Sequence, residues 1–264
     1  MPTTARHPEN VAIPTCGMAV MAKASVPGRT KTRLVPPLTP DEAARLNTAF
    51  LRDIADNVLA AADELSIAGY MAFTPPQSKP FFEANLPHEI ALIEACHPTL
   101  GECLVATIAR LLELGHRCAV ALNSDSPTLP TSLLLEAVAA LAEPGDRAVL
   151  GPASDGGYYL LGLKQLHRRL FENIAWSTEL VARQTLERAA EIDLPVHVLA
   201  PWYDVDDIAA LKMLRAELFD DRSFAPDLRP GPARHTRAFI RSLIDSADCK
   251  ARIGLEHVFG SAAE

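Results

Sequence analysis

The chain has 264 residues, 48% of them hydrophobic, and carries 33 acidic against 25 basic side chains for a net charge of -8. This length and apolar content fill one sizeable core with small additions, while the acidic balance argues against a duplex-binding protein and favours a small-molecule partner over nucleic acid. No run approaches the ~20 consecutive apolar residues of a membrane span. The first fifteen residues lack the apolar centre of a signal peptide, and the cysteines Cys16, Cys96, Cys103, Cys118 and Cys249 form no CxxC pair, so the expectation is a cytoplasmic protein whose reduced thiols serve packing.

Residues 1–15, with Pro2, Pro8 and Pro14 among polar neighbours, are read as a loose arm. Gly17 to Met21 then reads as a first strand, followed by a loop to Thr39. There Thr39-Pro40-Asp41-Glu42 supplies an N-cap, a proline at the first helical position and a Glu three residues after the cap. The helix that follows places Ala43, Leu46, Phe50, Ile54 and Val58 on one face. Ile67 to Phe73 reads as a second strand and Ile90 to Ile93 as a short third. Leu100 to Leu114 is a helix closed by Gly115. Cys118 to Leu122 is a buried strand, Thr131 to Leu141 a helix, and a strand near Val149 leads to a hairpin through Gly156-Gly157. A helix over Ser177 to Ala190, a strand near Val196 and a helix from about Asp206 to Leu218 complete the alternation. Strands alternating with helices predict a mostly parallel α/β sheet covered on both faces.

The domain should span residues 16–219. Residues 220–264 read as a Pro-rich linker, Arg222 to Gly231, and a small helical tail, His235 to Ile244. Covering the sheet, pairing subunits into a homodimer and shaping an acceptor pocket are all open roles for that tail.

Four segments carry chemistry. In the first, Asn123-Ser124-Asp125-Ser126-Pro127, a buried strand delivers a lone carboxylate to a turn, at the edge where parallel sheets gather ligands. Capping the next helix is the plainer role for Asp125. In the second, Lys23, Arg29, Lys31 and Arg33 fall within eleven positions of a stretch, Asn10 to Pro40, that holds no acidic residue. Arginine forks and lysine ammonium groups match phosphate oxygens, and Gly28 permits close backbone approach. A solvated basic loop is the alternative. In the third, Asp155-Gly156-Gly157-Tyr158 is either a plain hairpin turn or part of a pocket. In the fourth, Asp204 and Asp206 precede a helix, where they complement its dipole or meet Asp125 across the sheet. Carboxylates converging with a phosphate-binding loop suit Mg²⁺ or Mn²⁺. Trp176 and Trp202 are equally placed to stack on a base or sugar and to pack in the core or rim.

Together, Lys31-Thr32-Arg33-Leu34, Ser124-Asp125-Ser126-Pro127, Gly151-Pro152 with Asp155-Gly156-Gly157-Tyr158-Tyr159, Trp176-Ser177 and Asp204-Val205-Asp206 occur in an order that resembles the transferases associated with radical-SAM and selenium-domain proteins. That family lies in the glycosyltransferase A superfamily of nucleotide-diphospho-sugar transferases. The resemblance spans Gly17 to Phe219 and implies a Rossmann-like sheet of the glycosyltransferase A type. It implies a metal-binding Asp125 with the second carboxylate from Asp204 and Asp206, and a donor or acceptor pocket at Asp155, Gly156, Gly157, Tyr158 and Trp176. Phospholactate guanylyltransferases are more distantly similar, and their first loop also holds Lys and Arg for a nucleoside triphosphate. The chain lacks the paired glycines of sugar nucleotidyltransferase loops and has Asn123 where a DxD motif has its first carboxylate.

The expected activity is thus metal-dependent glycosyl transfer from a nucleotide sugar to a small acceptor. Asp155 is the candidate base or sugar contact, and Lys31 with Lys23, Arg29, Arg33 and Ser124 holds phosphate. Nucleotidyl transfer from a nucleoside triphosphate to a phosphorylated small molecule is the alternative. A nucleotide-binding protein without turnover is the second.

Overall fold

The computed structural model describes residues 15–245. Seven strands in that span form one sheet: β1 (Cys16–Lys23), β2 (Ile67–Thr74), β3 (Ala91–Glu94), β4 (Cys118–Leu122), β5 (Ala148–Pro152), β6 (Tyr158–Leu163) and β7 (Val196–Val198). Their spatial order is β3-β2-β1-β4-β6-β5-β7. β6 alone runs antiparallel to its neighbours, so the carboxyl ends of the other six lie along one edge. The expected α/β sheet, mostly parallel and flanked by helices, is the observed architecture.

Period-two alternation sorts the strand residues between two cores. Met18, Val20 and Ala22 join Met71, Phe73, Val120 and Leu122 on one face. There they meet α1 (Pro40–Ala62), α4 (Thr131–Ala142) and α6 (Ile208–Phe219). Ala19, Ala72, Ala119 and Ala121 face the other way, toward α3 (Leu100–Glu113) and α5 (Val181–Glu191). Small alanines in the central strands let α3 lie close to the sheet through Leu104, Ile108 and Leu111. Each such leucine contributes about 1.5–3 kcal/mol by leaving water.

The Thr39 capping box forms as read: Thr39 Oγ1 accepts from Glu42 N at 3.2 Å, and Glu42 Oε2 accepts from Thr39 N at 2.8 Å. The five apolar positions assigned to the buried face of α1 are all fully buried. A second capping box, Thr99 with Glu102, starts α3. α2 (Lys79–Asn85), which follows a 3-10 turn over Pro76–Ser78, is an element not assigned from the sequence; Pro80 lies in its first turn, where a proline is tolerated. α5 begins at Val181 rather than Ser177, because Ser177 adopts a left-handed φ of 63° that a helix cannot continue through.

At the carboxyl end, α7 (Arg234–Asp245) buries Ile240 and Leu243 in the core that α1 shares. Its first turn is capped across space by Asp53 of α1, whose two carboxylate oxygens accept from His235 N at 2.9 Å and Thr236 N at 2.8 Å. This explains why an aspartate is buried in α1, although burial raises its pKa. The described part of the tail therefore packs α7 on a helix, while its linker reaches the sheet edge: Phe224 lies against Trp202 and Tyr203, and Gly231 N donates to Thr128 O at 2.8 Å. The arm proposed for residues 1–15 lies outside the described residues except for Thr15, as do residues 246–264 with Cys249. Cys16, Cys103 and Cys118 are buried and free, as expected of packing thiols, but Cys96 is exposed. It follows β3 at the sheet edge, where no layer covers it.

Candidate active site

The carboxyl edge brings the four sequence segments together. β1 and β4 are adjacent and in register, Val20 against Leu122, so the loop after Lys23 and the turn at Asp125 emerge side by side. β5 and β7 pair on the far side of β6, and the pairing continues past the strands through a bridge between Ala153 and Trp202. Backbone hydrogen bonds then join the segments: Val205 N donates to Asp125 O at 2.8 Å, and Ser154 N to Trp202 O at 3.0 Å.

Lys31 is the centre of the arrangement. Its ammonium lies 2.6 Å from Asp125 Oδ1 and 2.8 Å from Asp206 Oδ1, and donates to Val205 O at 2.9 Å. The side chain is 6% exposed, against 31% for Asp125 and 46% for Asp206. Its stem passes over Phe50, with Nζ 5.4 Å from the ring centre. Burial pushes the ammonium toward its neutral form, but the charges of Asp125 and Asp206 outweigh burial and leave its pKa above the ordinary value. Backbone geometry aims the stem inward, since Lys31 takes a left-handed conformation (φ 50°, ψ 41°) immediately before a 3-10 turn over Thr32–Leu34 that buries Leu34. The loop is tied to α1 by Ser25 Oγ, which accepts from Asn47 Nδ2 at 3.0 Å and Thr48 Oγ1 at 2.9 Å. Lys23, Arg29 and Arg33 are exposed and make no ion pair among the described residues, leaving three cations available at the end of β1 and on the loop that follows it.

The acidic rim holds four carboxylates. Asp204 is half-buried and its pKa is pushed up to about 6, first by burial and then by the like charges of Asp155, Asp206 and Asp125. Asp206 stays outside α6, because Asp207 caps the helix by accepting from Ala210 N at 2.8 Å. The helix therefore begins two residues later than the sequence suggested. Asp155 Oδ1 accepts from Gly157 N at 2.8 Å, which closes the turn and leaves the other oxygen without a hydrogen-bond partner among the described residues. Gly156 has a φ of 90°, and a Cβ there would lie 2.2 Å from Glu179 O. Only glycine lets the turn and the segment before α5 approach so closely.

Some sequence assignments need revision. Asn123, which stands where a DxD motif has its first carboxylate, donates its amide N–H to Ser126 Oγ at 3.1 Å, bracing the turn, and its buried Oδ1 has no hydrogen-bond partner among the described residues. Tyr158 packs against the core on the α3 and α5 face with its hydroxyl shut off from solvent, so it does not offer that group to the pocket. Ser124 Oγ is only loosely directed at Asp125 Oδ1, at 3.5 Å. Trp176 sits against Gly101 at the start of α3, where an added Cβ would lie 2.7 Å from its indole nitrogen. It lines a groove with His97, Arg168, Phe171 and Glu172, on the α3 side of the sheet. Trp202 is wholly buried, which settles its two readings in favour of the core.

A brace behind the rim had no signal in the sequence. Ser126 Oγ donates to Tyr203 O at 2.8 Å, the Tyr203 hydroxyl meets Thr128 Oγ1 at 3.0 Å and donates to buried Glu217 at 2.7 Å, and Phe224 N donates to the same carboxylate at 3.1 Å. Burial, reinforced by the Glu217 charge, pushes the Tyr203 pKa up. This network clamps the Asp204–Asp206 turn onto the Asp125 turn.

The rim suits a hard divalent cation by charge: four carboxylates face one ammonium. Geometry adds a condition. Among the described residues, only Asp53, Asp56 and His235 bring three ligand atoms within 4.8 Å of one another, so Asp125, Asp204 and Asp206 do not close into a three-oxygen cage while Lys31 stands between two of them. The Asp53 cluster is occupied otherwise, since Asp53 caps α7.

Comparison with known proteins agrees with this architecture. A profile for the family described as uncharacterized proteins conserved in bacteria (DUF2064) matches residues 57–178. No curated protein matches the chain. Among solved structures, a protein of Desulfovibrio desulfuricans G20 provisionally assigned as a nucleotide-diphospho-sugar transferase superimposes with a TM-score of 0.75 at 25% identity, covering 90% of this chain and 98% of that one. Looser similarity, with a TM-score of 0.49 in each case, extends to two further structures. One is a CMP:2-keto-3-deoxy-manno-octonic acid synthetase complexed with CTP (13% identity, 79% of this chain and 100% of that one). The other is a cytidylyltransferase from Leptospira borgpetersenii serovar Hardjo-bovis strain JB197 (9% identity, 95% and 99%). The fold is that of the nucleotide-diphospho-sugar transferase superfamily. No helix among the described residues is long and apolar enough to cross a membrane.

Proposed function

We propose that this protein is a transferase that uses a nucleotide-activated donor with Mg²⁺ or Mn²⁺, and that it moves a sugar from a nucleotide sugar to a small acceptor. The observation that carries this reading is the meeting, at one sheet edge, of a basic loop with a rim of four carboxylates. The similarity to the Desulfovibrio protein supports the donor class.

In this reading Asp125 and Asp206, with Asp204 beside them, hold the metal. The ion would supply charge neutralisation for the departing diphosphate. Arg29, Arg33 and Lys23 bind phosphate oxygens from the solvent side and favour the charge that grows on the leaving group. Asp155 offers its free carboxylate oxygen as proton acceptor for the acceptor hydroxyl as that oxygen attacks the sugar carbon.

Nucleotidyl transfer is the second reading, favoured by the three exposed, unpaired cations of the loop, which match the charge of a triphosphate. One experiment separates the two: thermal stabilisation by a panel of nucleotide sugars and nucleoside triphosphates, with Mn²⁺ or with chelator, followed by product assay of the ligands that bind. A metal-dependent shift and sugar transfer with one nucleotide sugar is the expected result. A shift confined to a triphosphate, with pyrophosphate released, replaces glycosyl by nucleotidyl transfer. No shift with any nucleotide refutes both.

A further inference from the structure

Lys31 differs from the other cations of its loop. Lys23, Arg29 and Arg33 project into solvent, whereas Lys31 is turned inward and is almost wholly covered. An ammonium group has three N–H donors and no more. Here all three are engaged, by Asp125 Oδ1, Asp206 Oδ1 and Val205 O. Lys31 therefore cannot bind a phosphate oxygen without releasing one of these partners. Equally, a divalent ion coordinated by the same two carboxylates would stand within a few ångströms of the ammonium, where two cations repel strongly in a half-buried site.

Resting on the reading of this rim as a metal site, we propose that Lys31 is a tethered cation that competes with the metal for Asp125 and Asp206. Donor phosphate relieves the competition by drawing the lysine into the basic loop. Metal and phosphate then bind cooperatively: each gains from the same displacement, and the coupling is equal in both directions. Lysine offsets one of the two negative charges of the carboxylate pair until a donor arrives. The exposed cations beside it give the departing ammonium an anionic destination, since they hold the phosphate at the mouth of the loop.

The test uses Mn²⁺ alone, with the free ion read from its electron paramagnetic resonance signal. Wild type is compared with Lys31→Met, and with Arg33→Met, which removes the same charge from the loop but leaves the carboxylate pair occupied. Thermal melts establish that each variant is folded, and Lys31→Gln, which keeps a donor for Val205 O, serves if the methionine variant is not. Lys31→Met should bind Mn²⁺ roughly tenfold tighter than wild type or more, a size typical of coupled sites. Arg33→Met should change binding only about twofold, because an exposed charge is screened. Millimolar inorganic phosphate should tighten Mn²⁺ binding to wild type and leave Lys31→Met unaffected. If Lys31→Met binds no tighter than Arg33→Met, while Asp206→Asn abolishes binding, the competition is refuted and the metal site stands. If neither wild type nor Lys31→Met binds Mn²⁺, both fall together.

Discussion

Replacing Asp204 by Asn should stabilise the metal-free protein, and only at the higher end of the pH range. Asp204 is half-buried beside Asp155, Asp206 and Asp125, and its pKa rises from 3.8 to about 6 in the folded state. A carboxyl group with a raised folded pKa binds its proton more tightly when folded than when unfolded. Its contribution to stability is therefore fully present below about pH 4 and is lost as pH rises through about 6. At about 1.4 kcal/mol per tenfold change in proton affinity, the loss has an upper bound of about 3 kcal/mol. Partial exposure screens the neighbouring charges, so about 1–2 kcal/mol is the working figure. Asparagine keeps the shape and lacks the charge. Urea unfolding in chelator at pH 4 and at pH 7.5 would measure this: Asp204→Asn should match wild type at the lower pH and exceed it by that margin at the higher one. An equal difference between the two proteins at both pH values would refute the electrostatic account of the rim.

Three further outcomes follow from the geometry. Asp125→Asn should abolish metal-dependent turnover in the product assay while leaving the melting temperature within a few degrees, because the side chain is 31% exposed at a turn and the amide oxygen can still accept from Lys31. Lys23→Ala combined with Arg33→Ala should weaken nucleotide binding, and a titration over increasing salt should show a shallower salt dependence than wild type, since those two exposed charges carry the screened part of the attraction. Tyr203→Phe should cost about 1–3 kcal/mol in urea unfolding by leaving Glu217 and Thr128 without the hydroxyl. Because the brace joins the Asp125 and Asp204 turns, the same variant should also weaken Mn²⁺ binding, whereas a purely structural role would leave metal affinity unchanged.

The contrast between Lys31 and Tyr203 shows which parts of the site a sequence can disclose. The strand that delivers Asp125 was legible because Cys118–Leu122 is a continuous apolar run that ends in turn residues, and the basic loop because four cations cluster without an acid among them. The α1 start was legible because a capping box is a local pattern over four residues. The contact of Lys31 with Asp206 is of another kind: it joins residues 175 positions apart, through a left-handed backbone at a non-glycine residue that no propensity favours. The Tyr203, Glu217 and Thr128 network likewise depends on how α6 packs beneath the rim, and a Glu in an amphipathic helix reads as a solvated face until that packing is known. Asn123 shows the limit of motif position: the sequence marks the missing carboxylate, while the bond from its amide N–H to Ser126 Oγ is visible only in the fold. What local pattern conveys is thus the set of charges and the edge on which they stand. Which charges are already paired is fixed by long-range packing, as the engagement of Lys31 by Asp125 and Asp206 shows.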